Sequence, residues 1–94
     1  MFKFFRVKGY SLYPLLKEGE VVFCSKVFSF SKIKINSFVV FKYQNFYMIK
    51  KVTKISSLGY FVQGENPDSI DSRNFGELQK KALQYKVLFR LYKK

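Results

Sequence analysis

The chain has 94 residues, of which 18 are Lys or Arg and six are Asp or Glu, giving a formal charge of +12, and it has no histidine. That length makes one domain, residues 1–94, with a modest core. The single cysteine, Cys24, excludes an internal disulfide and any paired-cysteine zinc or redox site, and no apolar run reaches the roughly 20 residues of a membrane-spanning helix.

The N-terminal Met1-Phe-Lys-Phe-Phe-Arg6 is too short and too charged for a signal peptide. The chain therefore reads as soluble or bound peripherally at a surface. Residues 2–8 alternate loosely and predict a first strand ending at Gly9. Residues 10–16 form a turn, with Pro14 suited to the first turn of a short helix. Residues 17–20 turn again, and 21–27 form a strand in which Cys24 takes the place of a small buried apolar residue. Residues 29–37 are polar and basic and predict a loop. Residues 38–43 are a strand, Gln44-Asn45 a hairpin turn, and 46–54 its return strand. The chain turns at 56–59, and 60–63 is another strand. Residues 64–76, rich in Gly, Pro, Asn, Asp and Ser, predict a long loop. Residues 77–83 form one helical turn or irregular structure, and 84–92 a closing strand. Aromatics at 20% of residues, against a single alanine, Ala82, favour pleated and half-buried surfaces. Many short strands with frequent turns predict a mainly β domain, a small barrel-like or strongly curved sheet.

Two segments carry the chemistry. Gly9-Tyr-Ser11-Leu-Tyr-Pro14 puts a serine in a turn, and Met48-Ile-Lys50-Lys-Val52 puts a lysine at the end of an apolar run. A hydroxyl needs a base to become a nucleophile, and the usual histidine is missing. A lysine can serve if burial lowers its pKa toward neutrality. Strand alternation sends Lys50 and Lys51 to opposite faces, so only one of them can enter such a site.

Three segments in order resemble the type I signal peptidase family and its relatives, the self-cleaving SOS repressors. That family reads Gly-x-Ser-Met-x-Pro-x-Leu, then Gly-Asp/Glu-x-Val, matched by Gly9-Tyr-Ser11-Leu-Tyr-Pro14-Leu-Leu and Gly19-Glu-Val-Val22. Its apolar strand ending in Lys-Arg is matched by Tyr47-Met-Ile-Lys50-Lys51-Val. Its last box, Gly-Asp-Asn followed by Ser-x-Asp-Ser-Arg and an aromatic-Gly, is matched by Gly64-Glu-Asn66-Pro-Asp-Ser69-Ile-Asp71-Ser-Arg73-Asn-Phe75-Gly76. The ending Lys86-Val-Leu-Phe-Arg-Leu-Tyr92 resembles the closing strand of small soluble members that mature nickel-type superoxide dismutase.

The resemblance implies a fold of the signal peptidase catalytic-core type and a serine endopeptidase that uses no cofactor and no metal. It implies Ser11 as nucleophile, with its backbone N–H as an oxyanion donor, and Lys50 as general base. It implies Ser69 as the residue that orients the Lys50 amine, and Asp71, Arg73 and Asn66 as support for the site. It also implies a protein substrate held as an extended strand, with small residues before the cut. Four features depart from the pattern. Gly9 stands where some bacterial members carry an oxyanion-binding serine, Leu12 replaces the usual Met, and Lys51 replaces an Arg whose fork would pair with Asp71. The family's N-terminal membrane anchor is not among these residues, which weakens the secretory role rather than the chemistry.

Other readings of the same residues remain. Glu65, Asp68 and Asp71 form an oxygen cluster of the kind hard cations take, but their spacing fits no calcium loop and Arg73 is a ready ion-pair partner. Basic residues interleaved with aromatics, as in residues 2–6 and 41–43, are what base stacking on a small barrel uses, but they serve equally as the core of a sheet. Nucleic acid is the disfavoured partner. A non-catalytic basic β-barrel binding nucleic acid or a protein is the alternative function. Exposed aromatics fringed by lysine would also allow peripheral contact with an anionic membrane. A monomer is expected.

Overall fold

The computed structural model describes residues 1–8, 12–13 and 15–91. Gly9, Ser11 and Pro14, together with Tyr92 at the expected end of the last strand, lie outside the described residues. Six strands are present: β1 (Phe2–Arg6), β2 (Val21–Lys26), β3 (Phe38–Tyr43), β4 (Phe46–Ser56), β5 (Gly59–Gln63) and β6 (Leu83–Leu91). A short helix, α1 (Ser72–Phe75), and a 3₁₀ turn over Lys80–Ala82 separate β5 from β6. Every pairing is antiparallel, and the strands make one sheet in the order β1-β2-β6-β3-β4-β5.

The protein is therefore mainly β, as its composition predicts, with a curved sheet rather than a closed barrel. Among the described residues β1 and β5 are the edge strands of the sheet and do not pair with each other. The curvature is nevertheless strong. On a flat sheet β1 and β4, four strand intervals apart, would be separated by about 19 Å. Here the Phe5 and Tyr47 rings lie 5.7 Å apart, with the Tyr85 ring of β6 at 5.2 Å from Phe5. Bulges drive this curl. One extra residue stands in the ladder at Leu88, at Gln84 and at Thr53, and each such insertion bends its strand and raises the local twist.

The curl divides the core in two. On the concave face Val7, Leu12, Leu16, Val22, Cys24 and Val40 pack together, with Phe5, Ile49 and Tyr85 against them. On the other face Val39, Phe41, Val52, Val62 and Leu83 are covered by Ile33 from the loop after β2 and by Phe75 of α1. That loop was expected to lie outside the core, yet it donates Ile33 as a lid. Strand alternation does the sorting: Phe38 and Val40 face one way, Val39 and Phe41 the other.

Local chemistry sets the turns. Gln44 and Asn45 both take positive φ, 49° and 69°, closing β3 onto β4 as a two-residue hairpin whose twist matches the strands. Gly59, at φ 134°, opens β5 where a Cβ would sit 2.4 Å from the Leu78 carbonyl oxygen. The expected loop 64–76 contains α1 at its end. Asp71 caps it by accepting from the Arg73 backbone N–H, and the Asn74 side chain accepts from the Asp71 N–H in return. Among the described residues no helix is long and apolar enough to cross a membrane.

Candidate active site

Lys50 lies near the middle of β4, opposite Val39 on β3. It is 3% exposed, whereas Lys51 is only half-buried and pairs with Glu65 at 3.3 Å. Alternation explains the difference. Met48 and Val52 share the side of the strand that Lys50 uses, beneath α1, while Ile49 turns into the concave core. Val39 stands opposite Lys50 on β3.

Burial is the main cause that holds the Lys50 amine below its ordinary pKa. The Asp71 carboxylate pulls the value up and the Arg73 guanidinium lowers it further. Neither ion pair among the described residues involves Lys50. A buried amine with no ion-paired carboxylate among the described residues is biased toward its neutral form, the form in which it can accept a proton.

The loop after β5 is organised around Asp71, which is fully buried. Arg73 donates to it through Nε at 2.9 Å and Nη2 at 2.6 Å, a two-pronged pair. The Gly64 N–H donates at 2.9 Å and the Ser69 hydroxyl at 3.1 Å. Burial alone would raise the Asp71 pKa, but these bonds, led by Arg73, hold it well below the usual carboxylate range. The Asn66 carbonyl accepts from Ser69 Oγ and from Arg73 Nη2, and Asn66 Oδ1 accepts from the Asp68 N–H. Ser72 Oγ accepts from the Val62 N–H, tying the loop to β5. The three carboxylates are thus drawn apart: Asp71 to Arg73, Glu65 to Lys51, and Asp68 into a local turn.

Ser69 is the residue whose placement differs most from its expected role. Its hydroxyl is spent on the Asn66 carbonyl and Asp71 and accepts from Arg73 at 3.1 Å, with no bond to Lys50 Nζ. It does line the same groove as Lys50. That groove, about 870 Å³, runs between β1 and the β3–β4 hairpin, with Phe5, Val7 and Lys8 on one side, Tyr47 and Ile49 on the other, and Lys50, Ser69 and Ile70 along its lining. Cys24 is buried away from solvent and its thiol is pushed up to about 11, so it carries no nucleophile at neutral pH.

Neither a family model nor a curated protein matches this chain. The site is therefore described by its own chemistry. Ser11, both as nucleophile and as backbone oxyanion donor, lies outside the described residues, as does Gly9. The described residues around that segment are anchored. Val7 and Leu12 belong to the concave core, the Val7 N–H donates to the Glu20 carbonyl at 2.8 Å, and the Leu16 N–H donates to the Leu12 carbonyl at 3.1 Å. Arg90 reaches across from β6 to donate to the Leu15 carbonyl.

Two features were not legible beforehand. The groove's β1 wall depends on Phe5 meeting Tyr47, a consequence of curl that no local pattern records. Glu20 is buried, with Oε2 unpartnered among the described residues. Its only mark in the sequence is its place in Gly19-Glu-Val-Val22.

Proposed function

We propose that this chain is a serine endopeptidase of the signal peptidase type, working through a Ser11–Lys50 dyad. The observation that carries the reading is Lys50: a buried lysine, depressed in pKa, lining a groove that the acidic loop and the β1 segment leading toward Ser11 also line. In this reading neutral Lys50 Nζ takes the Ser11 Oγ proton as Oγ bonds to the substrate carbonyl carbon. The proton passes to the leaving amine as the peptide C–N bond breaks. Lys50 then deprotonates water as it attacks the acyl-enzyme ester, and returns that proton to Ser11 Oγ as the ester C–O bond breaks, restoring the free serine and the neutral amine.

The substrate is a protein segment in extended conformation. The outer edge of β1 pairs with no described strand and lines the groove, so a peptide can add there as a further strand. Small residues before the cut follow from the sequence resemblance. Asp71 and Arg73, with Asn66 and Ser69, hold the loop that walls one part of the site.

The test is turnover of a signal-type peptide by the wild-type chain, Ser11→Ala and Lys50→Ala. Losses of about a thousandfold or more in both variants are expected, with an acyl adduct on Ser11 found by mass spectrometry. Equal turnover in all three rules the dyad out. Absence of turnover and of any adduct in the wild type returns the chain to a binding role.

A further inference from the structure

The outer face of the sheet is covered at one end and bare at the other. Over β3, β4 and β5 it is roofed by Ile33 and α1. Over β1, β2 and β6 four phenylalanines form an unroofed patch. Phe2 stacks on Phe23 at 5.3 Å, Phe4 packs on Phe23 at 4.8 Å, and Phe89 packs on it at 5.1 Å from the other side. Phe2, Phe4 and Phe89 are 65%, 57% and 51% exposed. The patch continues at the end of β2. The Met1 carbonyl accepts from the Lys26 N–H, and the loop that follows displays Phe30, 80% exposed and stacked on Phe28.

Charge decides what this face meets. Residues 1–17, 21–64 and 78–94 contain no Asp or Glu, and these segments build the whole patch. Exposed Lys26 lies over the Phe28 ring at 5.8 Å, and Lys81 lines a small cleft with Phe28. A second copy of this chain would bring two strongly cationic faces together, which their repulsion opposes. Nucleic acid needs aromatic faces free for stacking, but here Phe2 is stacked on Phe23 and Phe30 on Phe28, and Phe4 and Phe89 lie tilted against Phe23. An apolar face with a cationic fringe suits the interface of an anionic lipid bilayer, hydrocarbon taking the rings and headgroups the lysines.

We infer that the Phe2–Phe4–Phe23–Phe89 face, extended by Phe30 and fringed by Lys26 and Lys81, docks the protein peripherally on anionic membranes. This stands independently of the Ser11–Lys50 dyad. The experiment is co-sedimentation of the full chain with sucrose-loaded vesicles of phosphatidylcholine, alone or one-third phosphatidylglycerol. Partitioning is expected to be at least about tenfold stronger onto the anionic vesicles. The Phe4→Ser/Phe89→Ser double variant is expected to lose more than about tenfold, and Lys26→Gln/Lys81→Gln about fivefold per lysine at low salt. Phe30→Ser alters a side chain that supports no core and is expected to weaken binding on its own, which guards against misfolding of the double variant. Ser11→Ala is expected to bind as the wild type does, so failure of the dyad and failure of docking give different results. Equal partitioning onto both vesicle types, or variants that bind like the wild type, overturns the inference. So does a dimer that Phe4→Ser/Phe89→Ser dissolves, or oligonucleotide binding lost in the same variant.

Discussion

At Asp71 five donors converge on one fully buried carboxylate, two of them from the same guanidinium. Its folded pKa is depressed, so its contribution to stability is fully present above the unfolded value of about 3.9 and is lost as pH falls below it. Asp71→Asn is expected to cost about 2 kcal/mol at neutral pH, and urea titrations at successively lower pH should show the gap to the wild type closing below about pH 4. Lys50 runs the opposite way. Its amine is also depressed, but for a base that means the unfolded chain holds the extra proton, so burial of Lys50 opposes folding at neutral pH and the opposition fades as pH rises toward about 10.4. Lys50→Met should therefore raise the denaturation midpoint at neutral pH, by about 1 kcal/mol, while turnover is lost. A midpoint that falls at neutral pH would contradict burial of an unpaired amine. That only one of Lys50 and Lys51 enters the site was legible from alternation along β4, and the family resemblance picked Lys50. The partners of Ser69 were not, because a hydroxyl in a loop has many acceptors within reach and only the folded loop selects among them.

Among the elements, β3 and β4 were legible nearly to the residue, since a run of Phe, Val and Tyr on either side of Gln44-Asn45 has both strand period and turn chemistry. Helix α1 was hidden because Ser72, Arg73 and Asn74 have no apolar stripe. It forms because Asp71 and Asn74 cap each other and Phe75 anchors its end on Phe41 and Tyr43, with ring separations of 5.9 and 4.8 Å. The three bulges were equally hidden, since none carries the glycine that often marks one. The turn into β5 makes a separate prediction. Gly59 combines a positive φ with a carbonyl at its back, and both the Tyr60 N–H and the Leu78 N–H complete a two-way bridge at 2.8 Å beside it. Gly59→Ala should cost about 2 kcal/mol or more, read as a drop in the chemical-denaturation midpoint. A neutral result would mean that the β5–Leu78 bridge yields freely.

Across the whole molecule, the sheet's curl and its charge act together. Curl brings β1 to β4 and so makes the groove, although the two strands lie far apart in the ladder; sequence pattern defines neighbours along a strand, not which distant faces a twisted sheet brings together. A +12 charge on 94 residues also opposes compaction. Thermal midpoints should rise by a few degrees as salt increases from about 0.01 M to about 0.15 M, because screening shortens the reach of that repulsion from roughly 30 Å to roughly 8 Å. A midpoint that falls with salt would show that attractive ion pairs such as Lys51–Glu65 outweigh it. The chemistry proposed for the groove depends on Lys50 being uncharged when substrate arrives. The measurement that reaches this most directly is an NMR titration of the Lys50 side-chain ε-carbon, assigned by comparison with Lys50→Met. The account predicts a midpoint clearly below the ordinary lysine value of about 10.4, with peptide turnover rising through the same pH range; a Lys50 that titrates at that ordinary value would contradict it.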